Sequence, residues 1–136
     1  MYRLIYKSSE TAPFSKTDLK HLLVGSRLRN TEADISGMLI YDRGVFLQML
    51  EGDVGAIFKT FARIERDPRH KDVTVLLRDA NARERAFGKW SMGFADGSGA
   101  AAILKGFVDL PEGLHTPALD RTNAVKILDV AAKVAA

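Results

Sequence analysis

The sequence predicts an α+β fold in which two helices cover one face of an antiparallel sheet built in the order β-α-β-β-α-β. Three observations predict it. Apolar residues alternate on a two-residue period in several short stretches, two longer stretches between them carry apolar residues at helical spacing, and each helix opens on a capping residue. The chain has 136 residues, enough for one sizeable core without metal or disulfide staples.

Residues 2–7 (YRLIYK) set Tyr2, Leu4 and Tyr6 against Arg3, Ile5 and Lys7, a first strand. Ser15 stands three residues before Asp18 in a variant capping box. Leu19, Leu22 and Leu23 follow at helical spacing, and the helix finishes near Arg29-Asn30. ISGMLIYD (35–42) and VFLQMLEGD (45–53) alternate like strands, and Arg43-Gly44 joins them tightly, so they form a hairpin. Asp53 is a natural N-cap for a second helix with Ile57, Phe61 and Ile64 on one face, and Pro68 closes it. VTVLL (73–77) is a fourth strand and WSMGF (90–94) a short fifth, with Trp90, Met92 and Phe94 on one face.

DGSGAAA (96–102) is the one clear shift of composition, so residues 1–96 read as one unit and 97–136 as a C-terminal helical extension. The extension holds a short helix over 103–108 and a longer one over 120–135, with Ala124, Ile127, Leu128, Ala131 and Val134 at helical spacing. The first six elements match the ferredoxin-like arrangement, extended by a fifth strand. In it the first and third strands are central neighbours, which sets Tyr6 beside Gln48 under the helices. The opposite face, with Val45, Leu47 and Met49, is too apolar for water, and the tail helices are the segment available to cover it.

Composition excludes several classes. There are no cysteines, hence no disulfide framework, thiol catalysis or thiolate metal site, and this fits a reducing cytosol. Hydrophobic residues at 46% and charged residues at 27% describe a globular chain, and its formal charge of +3 is scattered rather than blocked. That is weak support for nucleic acid or acidic membranes. No apolar run approaches the roughly 20 residues needed to span a bilayer, and MYRLIY enters a strand at once, leaving no room for a signal peptide. The chain is expected in the cytoplasm.

Gln48 is the anomaly. It stands between Phe46 and Leu50 on an otherwise apolar strand face, and an unpaired buried amide costs about 1–3 kcal/mol. Either Tyr6 and Gln48 satisfy each other, or the amide also faces a ligand whose edge both donates and accepts. Asn30 is either a left-handed helix cap or a second amide for the same ligand. Arg66, Arg69 and His70 either complement the end of the second helix or meet a phosphate or ribityl tail. His21 and His115 have no ligand-spaced partners, so no metal is assigned, and GSG (97–99) has no phosphate-loop continuation. No nucleophile–base pair is visible, and an enzyme is not expected. Arg43-Gly44-Val45-Phe46 echoes the aromatic strand of RNA-recognition modules, but Leu47 or Gln48 stands where a second stacking aromatic belongs.

Taken together, Tyr6 with Ser8, Asn30, ISG (35–37), YDRGVFLQMLEGD, RDPRH (66–70) and WSMGF (90–94) resemble the BLUF domains, blue-light sensors that use flavin. The similarity covers residues 1 to about 96. The resemblance implies that Tyr6 donates an electron and a proton to the excited flavin, and that Gln48 bridges Tyr6 and the flavin N5 and O4 edge. It implies that Asn30 pairs with the pyrimidine end of the ring, and that Leu22 and Ile64 sandwich the ring. Trp90 and Met92 match the fifth-strand pair whose contact with the glutamine changes on illumination, and either one can face the flavin in the dark. Two positions depart: Arg29 stands where members often carry His or Asn beside the flavin, and ISG replaces the commoner ITG.

The expected cofactor is FAD on family habit, with FMN able to make the same ring contacts. The expected function is a blue-light photoreceptor whose Gln48 network rearranges to a red-shifted signalling state. Only forty residues follow the sensor, so output is expected through a separate protein partner or a homo-oligomer. The alternative is a ferredoxin-like binding module that does not sense light, such as a small RNA-binding or regulatory domain.

Overall fold

The stretches of alternating residues before residue 80 form strands. In the computed structural model, which describes residues 1–42, 44–88, 91–96, 107–108 and 120–135, the strands are Tyr2–Glu10 (β1), Ser36–Asp42 (β2), Val45–Gly52 (β3), His70–Asp79 (β4), Gly93–Asp96 (β5) and Phe107–Val108 (β6). The helices are Lys16–Glu32 (α1), Val54–Glu65 (α2) and Arg121–Ala135 (α3). The sheet runs β4-β1-β3-β2-β5-β6. β1 pairs antiparallel with both β3 and β4, β2 pairs antiparallel with β3, and β5 adds parallel to β2. The expected central pair of first and third strands is therefore present, and Tyr6 lies directly across from Gln48.

Period two divides the apolar residues between two cores. Leu4, Tyr6, Leu39, Phe46 and Leu50 pack under α1 and α2 with Leu19, Leu23, Ile57 and Phe61. On the other face Ile5, Met38, Ile40, Leu47 and Met49 pack with Phe87 and with Ala124, Ile127 and Leu128 of α3. The tail helix thus covers the face that had to be covered. The side chains of Ala131 and Val134 lie outside the described residues.

Local chemistry sets the helix starts. Ser15 accepts from the Asp18 amide at 3.1 Å while Asp18 accepts from the Ser15 amide at 2.9 Å, so the capping box is reciprocal. Asp53 caps α2 through the Gly55 amide at 3.1 Å.

Four expectations are corrected. First, α1 does not end at Asn30: it runs to Glu32 with Ala33 as C-cap, and the left-handed residue is Asp34, at φ 54°. Asn30 is therefore an interior helix residue, and it is buried. Second, the fifth strand begins at Gly93, because Ser91 and Met92 form a bend ahead of it; Trp90 lies outside the described residues. Third, the short helix expected over 103–108 is not formed at its end, where Phe107–Val108 pair parallel with β5; residues 103–106 lie outside the description. Fourth, β4 is longer than VTVLL, since an edge strand can carry polar residues such as Lys71, Asp72 and Thr74 toward solvent.

The connection from β4 to β5 crosses the end of the sheet and is pinned by Glu51, which is completely buried. Its carboxylate accepts from the amides of Phe87 at 2.6 Å and Ala86 at 2.8 Å and from Ser36 Oγ at 3.1 Å, with Arg3 at 3.5 Å. A buried charge is tolerated here because its lone pairs are matched by donors.

Two substitutions separate surface from core effects. Ser15→Ala removes half of the capping box and is expected to lower stability by about 1 kcal/mol. In Gly37→Ala the new Cβ would run into the Met49 carbonyl oxygen of the neighbouring strand, and the expected loss is about 3 kcal/mol. Urea denaturation of both variants checks the order.

Candidate functional site

A groove opens between α1 and α2 above the centre of the sheet. Its floor is Tyr6, Leu39, Phe46, Gln48 and Leu50, its α1 wall Leu22, Ser26, Arg29 and Asn30, and its α2 wall Thr60, Arg63 and Ile64. Asp67, Arg69 and His70 stand at the end of α2. About 670 Å³ of space lies between these walls, the open mouth included. At one end Phe14 meets Phe46 edge-on, with ring centroids 5.1 Å apart.

The polar residues of the floor form a chain. Tyr6 donates its hydroxyl to Gln48 Oε1, and Gln48 donates Nε2–H to Met92 Sδ at 3.3 Å. Tyr6, Gln48 and Met92 are all buried, Met92 completely. Burial pushes the Tyr6 phenol well above its ordinary value near 10, and the negative charge of Asp67 adds to the shift. The phenol therefore stays protonated and remains a donor.

α1 holds the segment that enters β5. Asn30 Nδ2 donates to the Ser91 carbonyl at 2.8 Å, and Arg27 Nε donates to the Met92 carbonyl at 2.8 Å. Asn30 is only 3% exposed, yet its Oδ1 makes no hydrogen bond to a described residue. Below α2, His70 Nε2 meets the Ile64 carbonyl at 2.5 Å and Nδ1 meets Ser8 Oγ at 2.7 Å. A carbonyl only accepts, so Nε2 carries hydrogen; in the neutral ring Nδ1 accepts from Ser8.

The mouth is cationic. Arg69 grips Asp67 through Nη2 at 2.5 Å and through Nε at 3.0 Å to both oxygens. That hydrogen bond holds the Asp67 carboxyl below the usual carboxylate range and raises Arg69. Partial burial, then repulsion from Arg63 and Arg69, lowers Arg29.

Tyr6, Leu22, Arg29, Asn30, Gln48, Ile64, Arg69 and His70, all expected at one site from the sequence, line this groove together. Met92 reaches it through Gln48. Arg66 does not reach it: it is the exposed C-cap of α2, one turn past the facing wall. Sequence reasoning missed Ser26, Arg63 and Asp67. Helical spacing held the signal, because Leu22, Ser26 and Arg29 repeat at four and three residues, as Thr60, Ile64 and Asp67 do.

The donor set fits a flavin. Leu22 and Ile64 offer apolar walls to a flat ring. The unpartnered Oδ1 of Asn30 and the Gln48 amide offer an acceptor and a donor to a ring edge that carries N–H and carbonyl groups. A sheet-and-helix groove of this chemistry can hold a flavin ring.

Comparison with known proteins gives the family. Residues 1–93 match the model of BLUF, sensors of blue-light using FAD, and the chain belongs to that family. Its cofactor is FAD and its signal is blue light. The photoactivated adenylate cyclase subunit beta of Euglena longa is 38% identical over 90 residues, which is 65% of this chain and 10% of that protein. Subunit alpha of Euglena gracilis is 38% identical over 85 residues, 62% of this chain and 8% of that one. The chain thus spans about a tenth of the length of the curated relatives it matches. Among solved structures, dark-state BlrB, a BLUF protein, superposes with a TM-score of 0.82 at 26% identity over 97% of this chain and 95% of its own. Klebsiella pneumoniae BlrP1, solved with FMN and cyclic diGMP, superposes with a TM-score of 0.64 at 34% identity over 71% of this chain and 26% of its own. Residues 1–93 form a blue-light-sensing domain.

The Tyr6 phenol yields a pH test. Unfolded tyrosine ionises near pH 10, whereas folded Tyr6 keeps its proton, so the unfolded state releases a proton that the folded state retains. Stability is complete below pH 10 and falls as pH rises beyond it. Chemical denaturation between pH 8 and 11 is expected to show that loss, and Tyr6→Phe is expected to flatten it.

Proposed function

We propose that light acts on this chain through Tyr6, Gln48 and Met92, and that the carrying observation is their unbroken hydrogen-bond path. The bound flavin supplies a chromophore that absorbs blue light and becomes a strong oxidant on excitation. Every other part of the response belongs to the chain. Tyr6 is held as a neutral phenol, so it gives up its electron and its proton together, and its proton is aimed at Gln48 Oε1. Gln48 is a reversible element because its two ends differ: a rotated amide puts NH2 toward Tyr6 and oxygen toward Met92 Sδ, and a tautomerised one also changes the pattern. In the rotated amide the bond holding the Met92 side chain is lost. Met92 directly precedes β5, so the change passes to the strand that pairs with β2.

The remaining groove residues position the ring. Leu22 and Ile64 close on its faces and exclude water, Asn30 and Arg29 meet its pyrimidine side, and Arg69 and His70 stand toward its tail. Residues 1–96 act as the light-sensing unit and 97–136 as the extension that carries the response outward. Trp90 belongs to the same switching pair as Met92.

Output runs to a separate protein partner or to self-association, in the cytoplasm. The curated relatives are named as photoactivated adenylate cyclases, which supports a regulated nucleotide cyclase or similar effector as the kind of partner. No helix among the described residues is long and apolar enough to cross a membrane. The alternative of an RNA-binding module loses its stacking surface, since Phe46 is buried in the core against Phe14.

Absorption spectra taken before and after blue light test the mechanism. The wild-type chain is expected to show flavin bands with a small red shift that decays in darkness. Gln48→Ala and Tyr6→Phe are expected to keep the bands and lose that photocycle; a wild-type red shift in Gln48→Ala would sink the role given to the amide. The output proposal predicts that amide exchange in β5 and α3, or the oligomeric state, differs between dark and light. Identical exchange, oligomer and partner affinity in both states would count against it.

A further inference from the structure

Met92 is held at both its side chain and its backbone. Its Sδ accepts the Gln48 Nε2–H at 3.3 Å, and its carbonyl accepts the Arg27 Nε–H at 2.8 Å. The two holds come from different elements, Gln48 from β3 and Arg27 from α1. One turn further along α1, Asn30 takes the carbonyl of Ser91 at 2.8 Å. Residues three apart are neighbours on a helix surface, so α1 offers two donors to two successive carbonyls of the bend that leads into β5. Arg27 is not among the residues that line the groove.

The seat of Met92 is fitted. The side chain is completely buried, and its Cε lies 3.3 Å from the point where a Cβ on Gly37 would stand. One residue on, the relation reverses: the Met38 Cε lies 2.6 Å from the corresponding point of Gly93, its register partner. β2 and β5 thus each carry a glycine where the methionine of the other passes. A thioether side chain is unbranched and turns about several bonds, so it finds one narrow seat again only if its backbone stays in place. Arg27 supplies that restraint. Its guanidinium is partly buried, and burial lowers its pKa from the ordinary arginine value, the mark of a head pressed against protein.

We infer that Arg27 is a positioning residue for the light response: it latches the Met92 backbone, keeps Sδ aimed at Gln48, and so sets how quickly the lit state returns. The inference rests on the Tyr6–Gln48–Met92 path and adds to it a control of lifetime from outside the groove. When the Gln48 amide rotates, the bond to Sδ is lost and the side chain is released. With the carbonyl still latched, the side chain regains its seat by rotation about its own bonds. Without the latch the bend itself must be rebuilt first, and return is slower.

Recovery of the flavin absorption in darkness, followed in the FAD-loaded full chain after blue light, tests the latch. Two substitutions separate the hydrogen bond from the charge. Methionine keeps the stem of Arg27 without a donor, whereas glutamine carries Nε2 as many bonds from Cα as the arginine Nε. Arg27→Met is expected to slow recovery about tenfold, the scale of one hydrogen bond from a charged donor. Arg27→Gln is expected to stay within about threefold of wild type, because a neutral donor in the same place keeps most of the bond. Met92→Ala is expected to alter recovery, and adding Arg27→Met to it is expected to change the rate by less than about twofold, since no Sδ remains to be aimed. Wild-type or faster recovery in Arg27→Met overturns the latch and leaves the Met92 path standing. Equal slowing by Arg27→Gln and Arg27→Met overturns it too, because the charge would then be the acting part. So does full slowing by Arg27→Met in the Met92→Ala background, which would show a general loosening of the fold. Wild-type recovery in Met92→Ala removes the latch and the Met92 step of the path together.

Discussion

The structure depends on one cross-strand neighbour relation, Tyr6 opposite Gln48 at the centre of the sheet. Neither residue is at ease there alone. A buried phenol needs an acceptor and a buried amide needs both donor and acceptor, and each supplies what the other lacks. The pair also fixes register. A slip of one residue in β3 would turn Gln48 toward Ile5, Met38 and Ile40 on the opposite face and bring Leu47 or Met49 under the helices. The hairpin turn at Gly44, with φ 80°, holds the strand against such a slip.

A second polar anchor, Glu51, works at the end of the same strand. It binds two backbone amides of the connection leading to β5 and touches Arg3 across the β1–β3 pair. Phe87 in that connection lies in the core beneath α3. β3 therefore carries Gln48 toward the groove and Glu51 toward the loop.

Much of this was legible in the residues. The alternation of Val45 to Glu51 named both faces of β3, and the single amide among apolar neighbours marked the site before any groove was known. Caps at Ser15 and Asp53 were plain because their chemistry is local. What failed was decided at a distance. Asn30 resembled a helix cap, yet the helix continues because Asn30 gains Ser91 as a partner sixty-one residues away. Phe107–Val108 carried no strand signal of their own; pairing with β5 makes them strand. Arg66 and Arg63 are alike in composition and separated by less than a turn, and only the orientation of α2 over the sheet distinguishes the one that faces the groove.

α1 and α2 on one side and α3 on the other cover both faces of the central strands β1, β2 and β3. A close-packed slab of this kind resists bending out of its plane, since either direction compresses a core at near-crystalline density. The compliant direction lies within the plane, toward the end of the sheet where β5 pairs with Phe107–Val108 of β6. Its stroke is bounded as well. A strand that keeps its register slides by less than one residue's rise, about 3.3 Å, so any in-plane shear at this rim of the sheet is of atomic size.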